Sequence, residues 1–290
     1  MLRGGDTLDT KYFNPYTDFG FKKLFGEEAS KELLVDFLNQ LLPAHHQIAS
    51  LQFKNPESLN DTAKERTAIF EIYCKTDTGS KFIVEMQKAK ANYFKDRSLF
   101  CSTFPVREQA EKEGWDFQLL PIYFIAILDF RYDEKDEERK FRRDVCLKDL
   151  DAEVFFDRLH FKFLQMPLFN KQPHELETHF DKWVYFLKNL DSFDHVPDIL
   201  NEPIFIKGFE VAEISHLRPE HYENYLKSLL NYWEIKNVQD TAFNEGRLAG
   251  IAAVKAEGKI EAAKALKQQG VAMDIIAATT GLTVQEIQKL

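Results

Sequence analysis

Residues 66–87 have the sequence Arg66-Thr-Ala-Ile-Phe-Glu-Ile-Tyr-Cys-Lys-Thr-Asp-Thr-Gly-Ser-Lys-Phe-Ile-Val-Glu-Met-Gln87, and this stretch decides the fold. Apolar and β-branched residues on both sides of Asp77-Thr-Gly79 predict a β-hairpin. A three-residue hairpin loop favours Gly at its last position, where the backbone is left-handed. The loop therefore predicts that Thr76 pairs with Ser80, and this pairing sets the register of both strands.

The predicted register places two acidic side chains opposite each other. Counting back from the loop sets Glu71 against Glu85, and Gln87 lies on the same face as Glu85, about 6.6 Å further along. Glutamates that face each other repel, which favours a cation between them or a proton on one of them. Mg²⁺ is a natural candidate, because it is bound by one or two carboxylates and keeps several waters.

A solvated hairpin face is the alternative, since exposed strands often carry Glu and Lys. The neighbouring residues argue against it. Apolar side chains occur on both predicted faces, with Phe82, Val84 and Met86 on one and Ile69, Tyr73 and Ile83 on the other. Strands that are apolar on both faces are mostly buried, and a buried carboxylate needs a partner.

Composition excludes several classes of protein. The chain has 290 residues, of which 44% are hydrophobic, enough for a substantial core in one or two domains. Arg3, Asp6, Asp9, Lys11 and Asp18 interrupt the first twenty residues, which argues against a signal peptide, and no apolar run is long enough to span a membrane. The three cysteines fit neither a zinc motif nor a disulfide framework. We therefore expect a cytoplasmic protein without membrane contact.

The net charge of −9 argues against a protein whose main task is nonspecific binding of nucleic acid. A local basic cleft remains compatible with this charge, because residues 81–97 carry five lysines and arginines against two acidic residues. Solvated surface lysines are the alternative explanation of this stretch.

The hydrophobic pattern predicts the element order α-β-β-β-α-β in the first half of the chain. These elements are a helix over 18–42 with a break at Gly26, a strand over 48–53, the two hairpin strands, a helix over 93–112 that contains Pro105, and a buried strand over 120–130. Two more strands at 143–147 and 160–164 and three helices at 175–190, 203–214 and 219–233 are predicted after them. Three regions follow from this pattern: a core over 1–165, a helical subdomain packed on it over 166–237, and a helical tail over 238–290.

The tail is rich in Ala, Lys, Glu and Gln, which predicts a small-residue helix. Residues 276–287 resemble half of a helix-turn-helix. The second helix of that motif would carry Lys289 as its sole basic residue, which disfavours DNA reading. We expect packing or homo-oligomerisation through the C-terminal helices instead.

The predicted element order, with acidic residues on the second and third strands, resembles the core of the PD-(D/E)XK nuclease superfamily. Five motifs resemble its Rpn, or recombination-promoting and transposase-like, branch, which is common in bacteria: Asn14-Pro-Tyr-Thr-Asp-Phe-Gly-Phe-Lys-Lys-Leu-Phe-Gly26, Leu38-Asn-Gln-Leu-Leu42, Phe70-Glu-Ile72, Val84-Glu-Met-Gln87 and Phe94-Lys-Asp-Arg97. The motifs span about residues 12–130. The resemblance implies a restriction-endonuclease-like α/β fold, with a mixed sheet flanked by helices and a helical C-terminal part.

The resemblance also implies a metal-dependent endonuclease that hydrolyses DNA phosphodiester bonds. Glu71 and Glu85 would bind Mg²⁺ or Mn²⁺, with the Met86 carbonyl as a further ligand, and Gln87 would occupy the superfamily's lysine position. Asp18 matches an early Asp of the family and would complete the metal site or orient the water. Its alternative role is that of an N-terminal helix cap.

DNA is the partner that the resemblance implies. We expect four basic side chains near the acidic pair to contact it, namely Lys22, Lys88, Lys90 and Arg97.

Two residues depart from the family pattern. Glu71 stands where the family usually has Asp, and its longer side chain shifts the metal or abolishes activity. Gln87 can donate a hydrogen bond but cannot offset phosphate charge as Lys would. The family tolerates Gln at this position. Glu71, the acidic net charge and the lack of a clear basic groove favour the alternative function, a catalytically inactive nuclease fold that acts as a DNA- or protein-binding module.

Overall fold

The computed structural model describes residues 10–54, 71–89, 93–110, 115–132 and 140–290. The chain divides into two compact units, Met1–Trp233 and Glu234–Leu290. Residues 66–70, which begin the predicted hairpin, lie outside the described residues. No helix in the described part of the chain is both long and apolar enough to cross a membrane.

The first unit is built on a six-stranded mixed sheet with the order β1-β2-β3-β4-β6-β5. The strands are β1 (Leu51–Phe53), β2 (Ile72–Thr76), β3 (Lys81–Gln87), β4 (Ile122–Leu128), β5 (Arg142–Lys148) and β6 (Val154–Gln165). β4 is parallel to both of its neighbours, β3 and β6, and the other neighbouring pairs are antiparallel. The mixed α/β sheet predicted from the sequence is confirmed. β6 is longer than the predicted strand, because it continues into a hairpin with β5.

Eight α-helices occur in the described residues. They are α1 (Asp18–Phe25), α2 (Lys31–Asn39), α3 (Phe94–Ala110), α4 (His179–Asn189), α5 (Pro203–Ala212), α6 (Pro219–Gln268), α7 (Met273–Thr280) and α8 (Val284–Lys289). The prediction of a helix that ends at residue 233 is wrong, since α6 continues without a break for 50 residues. Its glycines interrupt nothing, because the Ala, Lys, Glu and Gln around them are good helix formers.

Side-chain alternation along β3 separates two faces of the sheet. Phe82, Val84 and Met86 belong to a large apolar cluster with residues of α1, α2, α4 and α5, and we call this the wide face. Ile83 points the other way, into a smaller cluster that includes Phe94 and Phe104 of α3, and we call this the α3 face. Burial of one such aromatic or aliphatic side chain contributes about 1.5–3 kcal/mol, so the wide face supplies most of the packing energy.

The hairpin forms with the predicted register. The Thr76 N–H donates to the Ser80 carbonyl at 2.9 Å, and Gly79 is left-handed with φ +86°. A Cβ at Gly79 would also lie 2.5 Å from Leu120 Cδ1, so a side chain here would meet both strain and a close contact. The ladder pairs Ile72 with Val84, and β2 begins one residue after position 71.

In the second unit, α7 and α8 pack with the end of α6 around a small cluster of buried residues, Ala263, Ile276 and Ile287. The turn between α7 and α8 contains Gly281, which is left-handed with φ +71°. A capping box at Thr283 and Glu286 begins α8.

Candidate active site

Glu85 lies near the carboxyl end of β3 on the α3 face, and its side chain is 1% exposed. Its Oε2 atom accepts a hydrogen bond from Gln87 Nε2 at 2.9 Å and lies 3.7 Å from Arg97 Nη2. Its Oε1 atom is buried and has no hydrogen-bond partner in the described structure. One carboxylate oxygen is thus held in place, and the other is free to bind a ligand.

Glu71 lies beside Glu85 at the entrance to β2. Its Oε2 atom accepts a hydrogen bond at 2.7 Å from the backbone N–H of Met86, the residue that follows Glu85. Continuing the β2–β3 register by one residue sets positions 71 and 85 opposite each other. The structure therefore brings Glu71, Glu85 and Gln87 together at one end of the hairpin, as the sequence predicted.

Both carboxyl groups are harder to ionise than usual. Burial raises the pKa of Glu71 to about 8, with a further increase from the negative charges of Asp18 and Glu85. The Met86 N–H and the Lys88 ammonium oppose this increase. Burial raises the pKa of Glu85 to about 7, against the opposing effects of Arg97 and Gln87. Near pH 7, Glu71 is therefore mostly protonated and Glu85 about half protonated, and a cation bound beside them would favour their ionised forms.

Arg97 reaches this pair from the first turn of α3. Its Nη1 atom lies 3.5 Å from Gln87 Oε1, and its side chain is 46% exposed. A guanidinium that contacts the site and also meets solvent lies at its rim, where an incoming anion would encounter it. The contact between Arg97 and DNA stays a prediction.

Asp18 and Lys88 form an ion pair of 2.6 Å next to Glu71. The Lys88 side chain is 9% exposed, so its ammonium interacts with the neighbouring carboxylates and has little contact with solvent. Asp18 is the first residue of α1, and the helix cap is Thr17, whose side chain accepts from the Gly20 N–H at 2.9 Å. The alternative role of Asp18 as the helix cap is therefore wrong.

Of the two remaining predicted basic residues, only Lys22 belongs to the described residues. Lys22 is exposed on α1, one turn after Asp18. Lys90 lies outside the described residues.

The carboxylate pair fits a hard divalent cation. Among the residues that the structure describes, no three His, Cys, Asp or Glu side chains are grouped so that they could hold a metal ion. Mg²⁺ does not need such a group, since it binds through one or two carboxylates and completes its shell with water or phosphate. The Glu85 Oε1 atom, which has no hydrogen-bond partner, and the raised pKa values of both carboxyl groups, which a bound cation would lower, are compatible with that requirement.

Asp129 is a carboxylate near the site that the sequence analysis missed. Its N–H donates to the Gln87 carbonyl at 2.9 Å, and its Oδ2 accepts from the Tyr232 hydroxyl at 2.8 Å. An acidic residue directly after the apolar run of β4 was the signal that could have found it, because β4 is parallel to β3 and the two strands end at the same edge.

The mixed sheet, the buried carboxylate pair and the helix that covers it define a PD-(D/E)XK nuclease-like fold. Residues 15–242 match the profile of the PD-(D/E)XK nuclease family transposase, and the chain belongs to this family. No curated protein and no solved structure matches the chain. PD-(D/E)XK nucleases generally use divalent metal ions, and DNA is the substrate that the family implies.

Proposed function

We propose that this protein is a metal-dependent DNA endonuclease of the recombination-promoting, transposase-like type, with Glu71 and Glu85 as its metal-binding residues. The observation that carries the proposal is the buried Glu85 carboxylate, which has an unpartnered Oε1 beside a second carboxylate. A buried polar atom without a hydrogen-bond partner is costly, and such atoms and strongly shifted pKa values cluster at functional sites.

The reaction is hydrolysis. A water oxygen bonds to phosphorus while the bond from phosphorus to the leaving sugar oxygen breaks, and the leaving oxygen takes up a proton. Glu71 and Glu85 would hold Mg²⁺ or Mn²⁺, which when bound polarises the phosphoryl oxygens and lowers the pKa of water.

The neighbouring side chains have positioning and electrostatic roles. The Gln87 amide orients Glu85 by donating to Oε2, which leaves Oε1 directed at the ligand. Arg97 offers its guanidinium to a phosphate oxygen at the rim. Lys88 supplies positive charge next to Glu71, which the uncharged Gln87 cannot do.

The test is incubation of the purified full-length chain with supercoiled plasmid and Mg²⁺ or Mn²⁺, beside a Glu85→Ala control. We expect nicked or linear DNA with the wild type and none with the variant. Equal nicking by both proteins would indicate a contaminating nuclease and overturn the proposal.

A catalytically inactive DNA- or protein-binding module is the second candidate function. It is supported by Glu71, which stands where the family usually has Asp and whose Oε2 is already engaged by the Met86 N–H. In that case, the plasmid assay would give no cleavage with any divalent cation, while DNA or protein binding would persist.

We further propose a cytoplasmic location and self-association through the C-terminal helices. The free cysteines Cys74, Cys101 and Cys146 support a reducing compartment. Exposed apolar side chains on the second unit, such as Ile251 and Ile275, support self-association. Sedimentation of the full chain over a range of concentrations tests it, and a monomer throughout would contradict it.

A further inference from the structure

A groove runs between α1 and the first part of α6, with a volume of about 390 Å³. Residues of α1 and the turn that follows it form one wall, and a stripe of α6 forms the other. The lining residues are Asp18, Phe19, Lys22, Lys23, Glu27, Asn224, Lys227, Ser228 and Asn231.

Two of the three lysines in the groove have no counter-charge. Lys23 is neutralised by Glu27 at 2.8 Å. Lys22 of α1 and Lys227 of α6 both line the groove and are exposed, and neither forms an ion pair within the described part of the chain. In a chain with a net charge of −9, two uncompensated ammonium groups on one groove form a local site for an anion.

Amide groups extend this line of donors along α6. Asn224 and Asn231 lie three residues before and four residues after Lys227, so all three share one side of the helix. Their spacing spans about 10 Å along the axis, at 1.5 Å per residue. A linear, repeating anion matches such a row better than a single compact ion does.

The floor of the groove is apolar and fixed. The Phe19 ring packs at 6.0 Å from Tyr225 and 6.1 Å from His221, and its backbone N–H donates to Ser228 Oγ at 3.1 Å. Both walls are thereby held together. An apolar floor below a row of donors accommodates a sugar with its phosphates on either side.

The groove also leads to the candidate active site. Asp18 lines its end and pairs with Lys88, whose ammonium acts on Glu71. A chain molecule that lies in the groove would therefore approach the carboxylate pair at the Asp18 end.

We propose that this groove binds the sugar-phosphate backbone of DNA beside the cleaved bond, with Lys22 and Lys227 on successive phosphates and the two asparagines as further donors. The proposal rests on the proposed nuclease function, because it names where the substrate of that site is held. Lys88 is excluded from the same role, since it is buried and paired with Asp18.

The experiment measures binding of a labelled DNA duplex by the full-length chain carrying Glu85→Gln, which separates binding from cleavage. Affinity is recorded between 50 and 200 mM salt, with and without Lys22→Ala and Lys227→Ala together. Loss of two phosphate contacts lowers the magnitude of the slope of log K against log salt by about 1.8, which corresponds to an affinity about sixtyfold lower at 100 mM salt when the affinities at 1 M salt are equal. Lys31→Ala is the matched control, since that lysine pairs with Glu28 outside the groove, and it leaves both quantities unchanged.

Three results would contradict the proposal that the groove binds DNA. They are an unchanged salt slope in the double variant, no DNA binding by the parent chain at 50 mM salt, and displacement of DNA by an equal phosphate concentration of inorganic phosphate. The last would assign the groove to free phosphate. Failure of the proposed function is a different result, in which the lysines set DNA affinity but the wild type cleaves no plasmid with Mg²⁺ or Mn²⁺.

Discussion

On β3, the three side chains that point to the wide face are all apolar, whereas those that point to the α3 face include Lys81, Glu85 and Gln87. Both sets are buried to a similar degree along most of the strand. Lys81 is neutralised by Glu108 of α3, but the free oxygen of Glu85 is not. The two faces therefore differ in how completely their buried groups are satisfied.

The difference separates stability from chemistry within one sheet. Apolar packing on the wide face gains free energy from every contact, while an unpartnered carboxylate on the α3 face costs free energy. Proteins keep such a cost where a ligand or a reaction needs it. Substitutions on the two faces should accordingly have opposite consequences.

The largest effect on stability is expected on the wide face, from Trp183→Ala. Trp183 is fully buried, packs against Phe25, Phe37 and Phe205, and donates its indole N–H to Asp36 Oδ1 at 2.5 Å. Its removal leaves a cavity and takes one of two hydrogen-bond partners from Asp36 Oδ1, which still contacts His179 Nε2 at 2.8 Å. The cavity should cost about 3–5 kcal/mol of unfolding free energy. Denaturant unfolding monitored by circular dichroism measures this loss.

Trp233→Ala is the control for this prediction. Trp233 is 38% exposed, so less apolar surface is lost on its removal, and the free energy of unfolding should fall clearly less than in Trp183→Ala. Equal losses in the two variants would contradict the role assigned to the wide face.

Glu85→Gln should reduce activity and leave stability intact, the reverse of Trp183→Ala. Cleavage of plasmid DNA should fall by about two orders of magnitude or more, because the metal loses a charged ligand. The free energy of unfolding at pH 8 should not decrease, because the amide removes a buried charge without changing the shape of the side chain. A variant that unfolds more easily and cleaves normally would place Glu85 among the structural residues.

The pH dependence of stability should reveal the free-energy cost of ionising the buried carboxyl groups. The pKa values of Glu71 and Glu85 are raised by folding, to about 8 and about 7, so the folded state holds protons that the unfolded state has released. Metal-free protein should therefore lose stability as pH rises from about 4.5 to 8, and regain it as pH falls. Thermal unfolding across this range measures the slope.

Within this range, Mg²⁺ should raise the melting temperature most at pH 8, where Glu85 is mostly ionised and Glu71 about half ionised. The increase should disappear in a Glu71→Gln, Glu85→Gln double variant, whose pH slope should also be flatter. If Mg²⁺ stabilises the double variant as much as the wild type, the cation binds elsewhere.

The smallest effect is expected for Glu71→Asp. Restoring the usual family residue should retain or increase cleavage, within a few fold, since the charge remains and only one methylene is lost. Initial rates of plasmid nicking at saturating Mg²⁺ give the comparison with wild type. A loss as large as that of Glu85→Gln would mean that the backbone has adjusted to the longer side chain and its bond to Met86.

Local chemistry made the hairpin predictable. Gly79 accepts the left-handed backbone that the three-residue loop requires, and the alternation on either side leaves one register that buries the apolar side chains. The placement of Glu71 beside Glu85 and Gln87 follows from that register. The end of α6 was not predictable in the same way, because the shift from large to small side chains after residue 233 changes what the helix packs against and not its tendency to be a helix.

The sequence by itself determined the class of fold, the hairpin register and the pairing of the two acidic residues, because these depend on turn geometry and on a period of two. The tertiary structure decided what surrounds that pair. Arg97 approaches Glu85 from α3, and Lys88 forms an ion pair with Asp18 of α1. The groove that Lys22 and Lys227 line exists because α6 packs against α1, about 200 residues earlier in the chain. Such contacts depend on the packing of whole elements, which no local pattern encodes.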